Sequence, residues 1–259
     1  LLREALRFGD HSECYTEFHS SNDRRIWTNP RTGRNFVPVE ILPQVPSNFI
    51  ELCEAMRSKG FWPIYFDGNI HQFNAAFKPI SRWVSLEIIE KERGNLPSDS
   101  PKLILRRPTR NTDERTVIAS IIPSKSVFAD LATGIKSTVD LVILQGLLNS
   151  MTFDFQVRRR VSGRDLRPYH LKPCVVPLTG KLMDIPRMSV MFDEGGYVWD
   201  RPELWNTTWT VERMVAEAYG ITPWQFEDFV LPNFPVFARK RPAFFAFLQG
   251  EVKKWKAGS

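Results

Sequence analysis

Apolar residues along this chain change their period repeatedly, and the order of those changes constrains the fold more than any other feature. Residues 61–66, 102–107 and 117–122 are short β-branched or aromatic runs that read as strands. Residues 49–56 instead place Phe49, Leu52, Cys53 and Met56 at i, i+3, i+4 and i+7, one face of a helix. Strand and helix signals do not alternate regularly from end to end. A doubly wound parallel sheet requires that alternation, so the pattern predicts an α+β fold: a mixed domain of short strands with a helical C-terminal part.

Local punctuation marks the elements. Ser47 or Asn48 caps the first clear helix, Glu51 completes a capping box and Gly60 ends it. Asp67-Gly68-Asn69 reads as a hairpin turn between 61–66 and a second strand at 70–73. Asn29-Pro30-Arg31-Thr32-Gly33 reads as a turn, and residues 91–101 as a loop. Ser137 or Thr138 caps a helix carrying Leu141, Leu144, Gln145 and Leu148. Asn149-Ser150 interrupts it and caps a second helix through Arg160, which Gly163 stops. Pro168, Pro173 and Pro177 predict extended chain over 166–178, and Gly195-Gly196 a loop. Thr210 caps a helix over 211–219. Thr222-Pro223-Trp224-Gln225 is a capping box with proline at the first helical position, and Arg241-Pro242 opens a Phe-rich last helix. The expected division is a connecting segment 1–46, a main domain 47–190 and a helical subdomain 191–259.

Composition narrows the setting. Cys14, Cys53 and Cys174 are far apart and odd in number, which suggests neither a disulfide framework nor a zinc site and points to a reduced, cytoplasmic compartment. The apolar stretch 141–144 falls far short of the ~20 residues of a membrane helix, so no membrane partner is expected. The chain begins at Leu1 as if a helix were already under way, and is expected to be a piece of something longer. Net charge is +6, unevenly placed: residues 102–187 hold 15 Lys/Arg against 7 Asp/Glu, and the remainder 20 against 22. An excess confined to one segment favours a polyanionic partner there.

A search for catalytic chemistry finds little. Clustered glycines before a helix, as a phosphate-binding loop needs, are missing. Asn29-Pro30-Arg31 lacks the second proline and aromatic ring with which an adenine methyltransferase holds its target amine. Glu251-Val252-Lys253 has the letters of a nuclease strand but falls in a predicted helix, where the two side chains diverge. His11, His19, His71 and His170 are scattered without zinc-helix spacing, and Asp193-Glu194 beside two glycines reads as a solvated turn. No catalytic residue, metal ligand or cofactor is assigned to this chain.

Two constellations suit DNA binding. One is Arg106, Arg107, Arg110, Asn111, Thr112 and Arg115, in and around a loop between two strands. Arginine can pair bidentately with guanine and asparagine with adenine, while threonine positions phosphates. The other is Arg158, Arg159 and Arg160, followed by Arg164, Arg167, Tyr169 and His170. Three consecutive arginines at ~100° per residue cannot all be buried on one helix.

Several segments then resemble the specificity regions of restriction-modification methyltransferases. They are Ile64-Tyr65-Phe66-Asp67-Gly68-Asn69-Ile70-His71-Gln72-Phe73, Pro79 to Val84, and Arg110 to Pro123 with its Asp113-Glu114-Arg115-Thr116 centre. Further on come Leu147-Leu148-Asn149-Ser150, Phe153-Asp154, Arg160-Val161-Ser162-Gly163, Tyr169-His170-Leu171, Tyr219-Gly220-Ile221-Thr222 and Phe234-Pro235-Val236. In this order the resemblance runs from about Phe61 to the end, roughly three quarters of the chain. The resemblance is to the C-terminal target-recognition region of type IIG, or phage-defence, N6-adenine DNA methyltransferases. It implies that residues 47–190 grip double-stranded DNA and choose its sequence. An N-terminal methyltransferase domain or subunit would bind S-adenosylmethionine and modify the adenine. Two other readings are a module docking a methyltransferase or nuclease subunit through Phe244, Phe245 and Phe247, and a nuclease with a degenerate site.

Overall fold

A computed structural model describes residues 6–27, 36–177, 182, 184–186, 188 and 194–259. The fold is α+β, with small sheets and a helical C-terminal region. The largest sheet is antiparallel, in the order β2 (Ser12–Tyr15), β8 (Ala132–Ser137), β5 (Lys102–Arg106), β6 (Ala119–Ile122). A three-stranded sheet sets β3 (Phe61–Tyr65) antiparallel to β4 (Trp83–Ser85) and parallel to β7 (Val127–Phe128). The pair β1 (Leu6–Arg7) and β9 (Val175–Val176) closes the N-terminal stretch onto the centre of the chain.

Strand β5 is apolar on both faces because both are covered. Leu103 and Leu105 join the main core with the helices Leu141–Asn149, Met151–Arg158 and Pro202–Ala218. Ile104, pointing the other way, joins a second core with Tyr65, Met56, Cys53 and Phe128. A third cluster gathers Phe18, Ile26, Trp27, Trp62 and Val127. Gly134 in β8 is dictated by close approach: a Cβ there would lie 2.4 Å from Phe128 and 2.6 Å from Tyr15, whose rings meet edge to face.

The local signals were read correctly where a cap or a period is self-contained. Asn48 Oδ1 accepts from the Ile50 and Glu51 amides at the start of Phe49–Ser58, and Gly60 follows with φ +77°. Thr222 and Gln225 form the reciprocal capping box, and the last helix runs Pro242–Ala257.

Elsewhere the structure corrects the reading. Residues 70–73 are not a strand; Asp67–Asn69 is a 3-10 turn and His71–Asn74 a second tight turn, with Phe73 at φ +58°. Asp140, not Ser137 or Thr138, caps Leu141–Asn149. Leu86–Arg93 is helical and overlaps the expected 91–101 loop. Pro168–Leu171 is a helical turn rather than extended chain, since proline suits a first helical position. Thr210 lies inside a helix that begins at Pro202. Phe244 is buried, and Phe245 and Phe247 are partly buried against the main core. The Asn29–Gly33 turn and Asp193 lie outside the described residues.

Candidate nucleic-acid interface

The two basic segments, far apart in sequence, are stitched side by side by backbone. Pro108 and Asp165 form an antiparallel bridge. The Leu166 amide donates to Arg107 O at 2.7 Å, and the Thr109 amide to Arg164 O at 3.2 Å. Arg107 adds a two-point grip on Asp165, Nε at 3.2 Å and Nη2 at 2.8 Å.

Between these bonds and β6 the chain makes an exposed turn. The Asp113 carboxylate accepts from the Arg110 amide at 2.8 Å, and the Asp113 amide donates to Arg110 O at 3.2 Å. The turn is therefore shaped by its own aspartate, the usual use of Asp in loops. Arg110, Asn111 and Thr112 stand exposed at its tip. On the neighbouring segment Arg159, Arg160, Arg164, Arg167 and Tyr169 are exposed, Tyr169 to 68%. Arg159 lies over the Phe155 ring, Arg160 donates to Gln156 O, and Arg167 pairs with Asp165. Among the described residues, no carboxylate lies within ion-pair distance of Arg110, Arg159, Arg160 or Arg164.

The remaining expected residues turn inward. Arg115 and Arg158 are 4% and 6% exposed and share Asp154, which is fully buried. Asp154 accepts from Arg115 Nε at 2.9 Å, from the Thr116 amide at 3.0 Å and from Arg158 Nε at 3.5 Å. Arg115 also donates to Asn149 O at 2.6 Å, and Arg158 to Asn233 O at 2.7 Å, with both guanidinium groups over the Phe234 ring. Gln72 and Asn149 complete this hub. Gln72 Nε2 bonds Val117 O and Asn149 O. The Asn149 amide pairs with both backbone groups of Ala119, as a strand neighbour would, at 2.9 Å each. Glu212 accepts the Met151 amide at 2.7 Å and faces Arg115 at 4.0 Å. Burial pushes its carboxyl up from 4.5 to about 7, against the pull of Arg115.

His170 is likewise internal. Its Nδ1 accepts the Arg167 amide at 3.0 Å, a cap on its own helical turn, and burial lowers its pKa, so the neutral ring is favoured. Arg106 is half-buried, its Nε without a hydrogen-bond partner among the described residues. The sequence reading thus merged two populations of arginine. Ser162 and Lys172 are exposed in the same segment.

No protein-family model matches this chain, and no curated protein does either. Among solved structures it is similar to a Type IIL restriction-modification enzyme, MmeI, in complex with DNA, with a TM-score of 0.47 and 13% identity. That alignment covers 97% of this chain and 36% of the other, so the chain spans about a third of the neighbour's length.

The hub residues Gln72, Arg115, Asn149 and Asp154 all belong to segments singled out in the sequence, where they were read as marks of a family or as DNA contacts. One physical signal for burial was present. Leu141–Asn149 is apolar nearly all round, so its polar Gln145 and Asn149, four apart, must point inward. Among the described residues no group of three or more His, Cys, Asp or Glu side chains could hold a metal ion, and no helix is long and apolar enough to cross a membrane.

Proposed function

We propose that this chain is the double-stranded DNA recognition module of an adenine-specific (N6) restriction-modification methyltransferase. Methyl transfer from S-adenosylmethionine belongs, on this reading, to a separate methyltransferase domain or subunit. Residues 47–190 are the target-recognition domain, 191–259 a helical subdomain and 1–46 a connecting segment.

One observation carries the reading: the Pro108–Asp165 bridge sets the Arg110-Asn111-Thr112 turn beside the exposed Arg159–Arg167 cations. Exposed cations are the groups a phosphate backbone can recruit, with release of counterions, and among the described residues Arg110, Arg159, Arg160 and Arg164 have no carboxylate partner while Arg167 would exchange Asp165 for a phosphate. Arg159, Arg160, Arg164 and Arg167 follow phosphates, while the turn offers Arg110, Asn111 and Thr112 to a groove. Tyr169 adds an exposed ring for sugar or base contact. Arg115, Arg158 and His170 hold the frame and touch no DNA. The resemblance of the ordered motifs to methyltransferase specificity regions supplies the enzyme class.

The test is duplex affinity measured by fluorescence anisotropy across a salt series. Binding should weaken with salt at a log–log slope of about −0.9 per phosphate neutralised. Arg159→Ala should weaken binding to all sequences alike and make that slope shallower by about one contact. Binding that is absent, or indifferent to salt, would overturn the reading.

A further inference from the structure

A cleft of about 230 Å³ opens between Arg106 at the end of β5, the residues Asp113–Arg115, His71 and Phe77, the rings of Tyr197 and Trp199, and Lys240. That is smaller than the ~300–1,000 Å³ of pockets that engulf drug-sized ligands, and suits one small planar molecule. Three residues of its lining each carry a buried polar atom with no partner among the described residues: Arg106 Nε, His71 Nδ1 and Trp199 Nε1. His71 and Trp199 are 5% and 2% exposed. Native interiors pair nearly all such groups, so three orphans in one lining mark a site that expects a partner.

The other charged groups there are already engaged, and Arg241 also lies over the Tyr197 ring. Glu114 accepts from Arg241 at 2.6 Å and faces Lys240 at 3.8 Å, and Asp113 accepts the Arg110 amide. What remains free is mainly donor capacity, beside half-buried Phe77 and Tyr197, whose rings lie 4.7–4.9 Å from each other and from His71. Burial and the nearby arginines Arg106, Arg115 and Arg241 hold the His71 ring neutral, so Nδ1 can serve as donor or acceptor. Two carboxylates in the lining disfavour a small anion. A flat heterocycle with ring-nitrogen and carbonyl acceptors satisfies both the donors and the rings.

We propose that this cleft binds one unstacked nucleobase, hydrogen-bonded by Arg106, Trp199 and His71 and in ring contact with Phe77 and Tyr197. The base can come from a bound duplex, in which case the inference rests on the DNA reading, or from a free mononucleotide. The strained His71–Asn74 turn, with Phe73 at φ +58°, holds the site: it sends His71 to the cleft, Gln72 to the buried hub and Phe73 to the main core.

The experiment compares a matched duplex with the same duplex carrying one unpaired base, each of the four bases in turn, using the wild-type chain, Arg106→Met and Phe77→Leu. Deoxynucleoside monophosphates are titrated in parallel. Unpairing is prepaid in the second duplex, so at least one base should bind roughly tenfold more tightly than the matched control. Both substitutions should abolish that preference. Because Arg106 Nε has no hydrogen-bond partner among the described residues, Arg106→Met should leave the melting temperature unchanged, which a structural role for the guanidinium would not allow. A monophosphate that binds and competes away the preference assigns the site to free nucleotide; a preference that survives competition assigns it to DNA. Equal affinity for matched and unpaired duplexes without monophosphate binding overturns the cleft alone, as does a preference kept by both folded variants. If no duplex binds, the DNA reading falls; monophosphate binding lost in Arg106→Met would still support the cleft, and no binding of any kind would overturn both.

Discussion

Arg158 and Arg159 are neighbours in sequence with opposite surroundings. Arg158 closes a helix from inside, 6% exposed, bonded to Asp154, Asn233 O and Asp113 O. Arg159 stands outside, its guanidinium lying over the ring of Phe155. The same contrast separates Arg115 from Arg110 on the turn. An inner ring of arginines, satisfied by Asp154, fixes how the turn and the helices pack. An outer row, Arg110, Arg159, Arg160 and Arg164, has no carboxylate partner among the described residues and remains available to a partner. A positive excess counted along the sequence therefore overstates the positive surface, because part of it is spent on buried pairs such as Lys102 with Glu17 and Arg115 with Asp154.

The largest effect that can break this contrast is Asp154→Ala. It strands two buried guanidinium groups, and breaking such a pair costs about 3–5 kcal/mol. Urea unfolding measures it; a loss below about 1 kcal/mol would mean the inner ring is not held by that carboxylate.

Glu212 sharpens the picture by pH. Its folded pKa of about 7 lies above the ordinary 4.5, so the folded chain holds this proton more tightly than the unfolded chain. Stability from Glu212 is full below about 4.5 and is lost as pH rises towards 7. At about 1.4 kcal/mol per unit, the loss is on the order of 3 kcal/mol at most. Glu212→Gln keeps an oxygen for the Met151 amide and removes the titration. Its melting temperature at pH 8 should exceed that of the wild type, and the difference should vanish near pH 4; a parallel pH profile for both proteins would refute the assignment.

The outer row predicts the smallest stability effects. Arg110→Ala and Arg164→Ala should each change unfolding free energy by less than about 0.5 kcal/mol, as surface substitutions do. A loss of 2 kcal/mol or more would place either residue with the inner ring.

What the sequence disclosed follows the same division. Caps at Asn48 and Thr222 depend on residues two or three positions away, and were legible. The strand β5 was legible because an apolar run between polar neighbours has few alternatives. The hub was not: Asp154 meets Arg115 and Thr116 across 39 and 38 residues, and Asn149 meets Ala119 across 30. No period or spacing encodes a contact of that kind. The turn at His71–Asn74 was misread as a strand because Ile70 and Phe73 are apolar, yet their burial comes from a turn that inserts each into a different core. The Pro108–Asp165 bridge, which makes one surface of two basic segments, could not be foreseen either, since each segment reads by itself as an ordinary charged loop.

The most direct test takes three arginines of the outer row together. In Arg110→Ala/Arg159→Ala/Arg164→Ala the log–log salt dependence of duplex binding should become shallower by about three contacts. Thermal unfolding should stay close to wild type. A slope equal to that of the parent protein would contradict the account, because the outer row would then meet no phosphate.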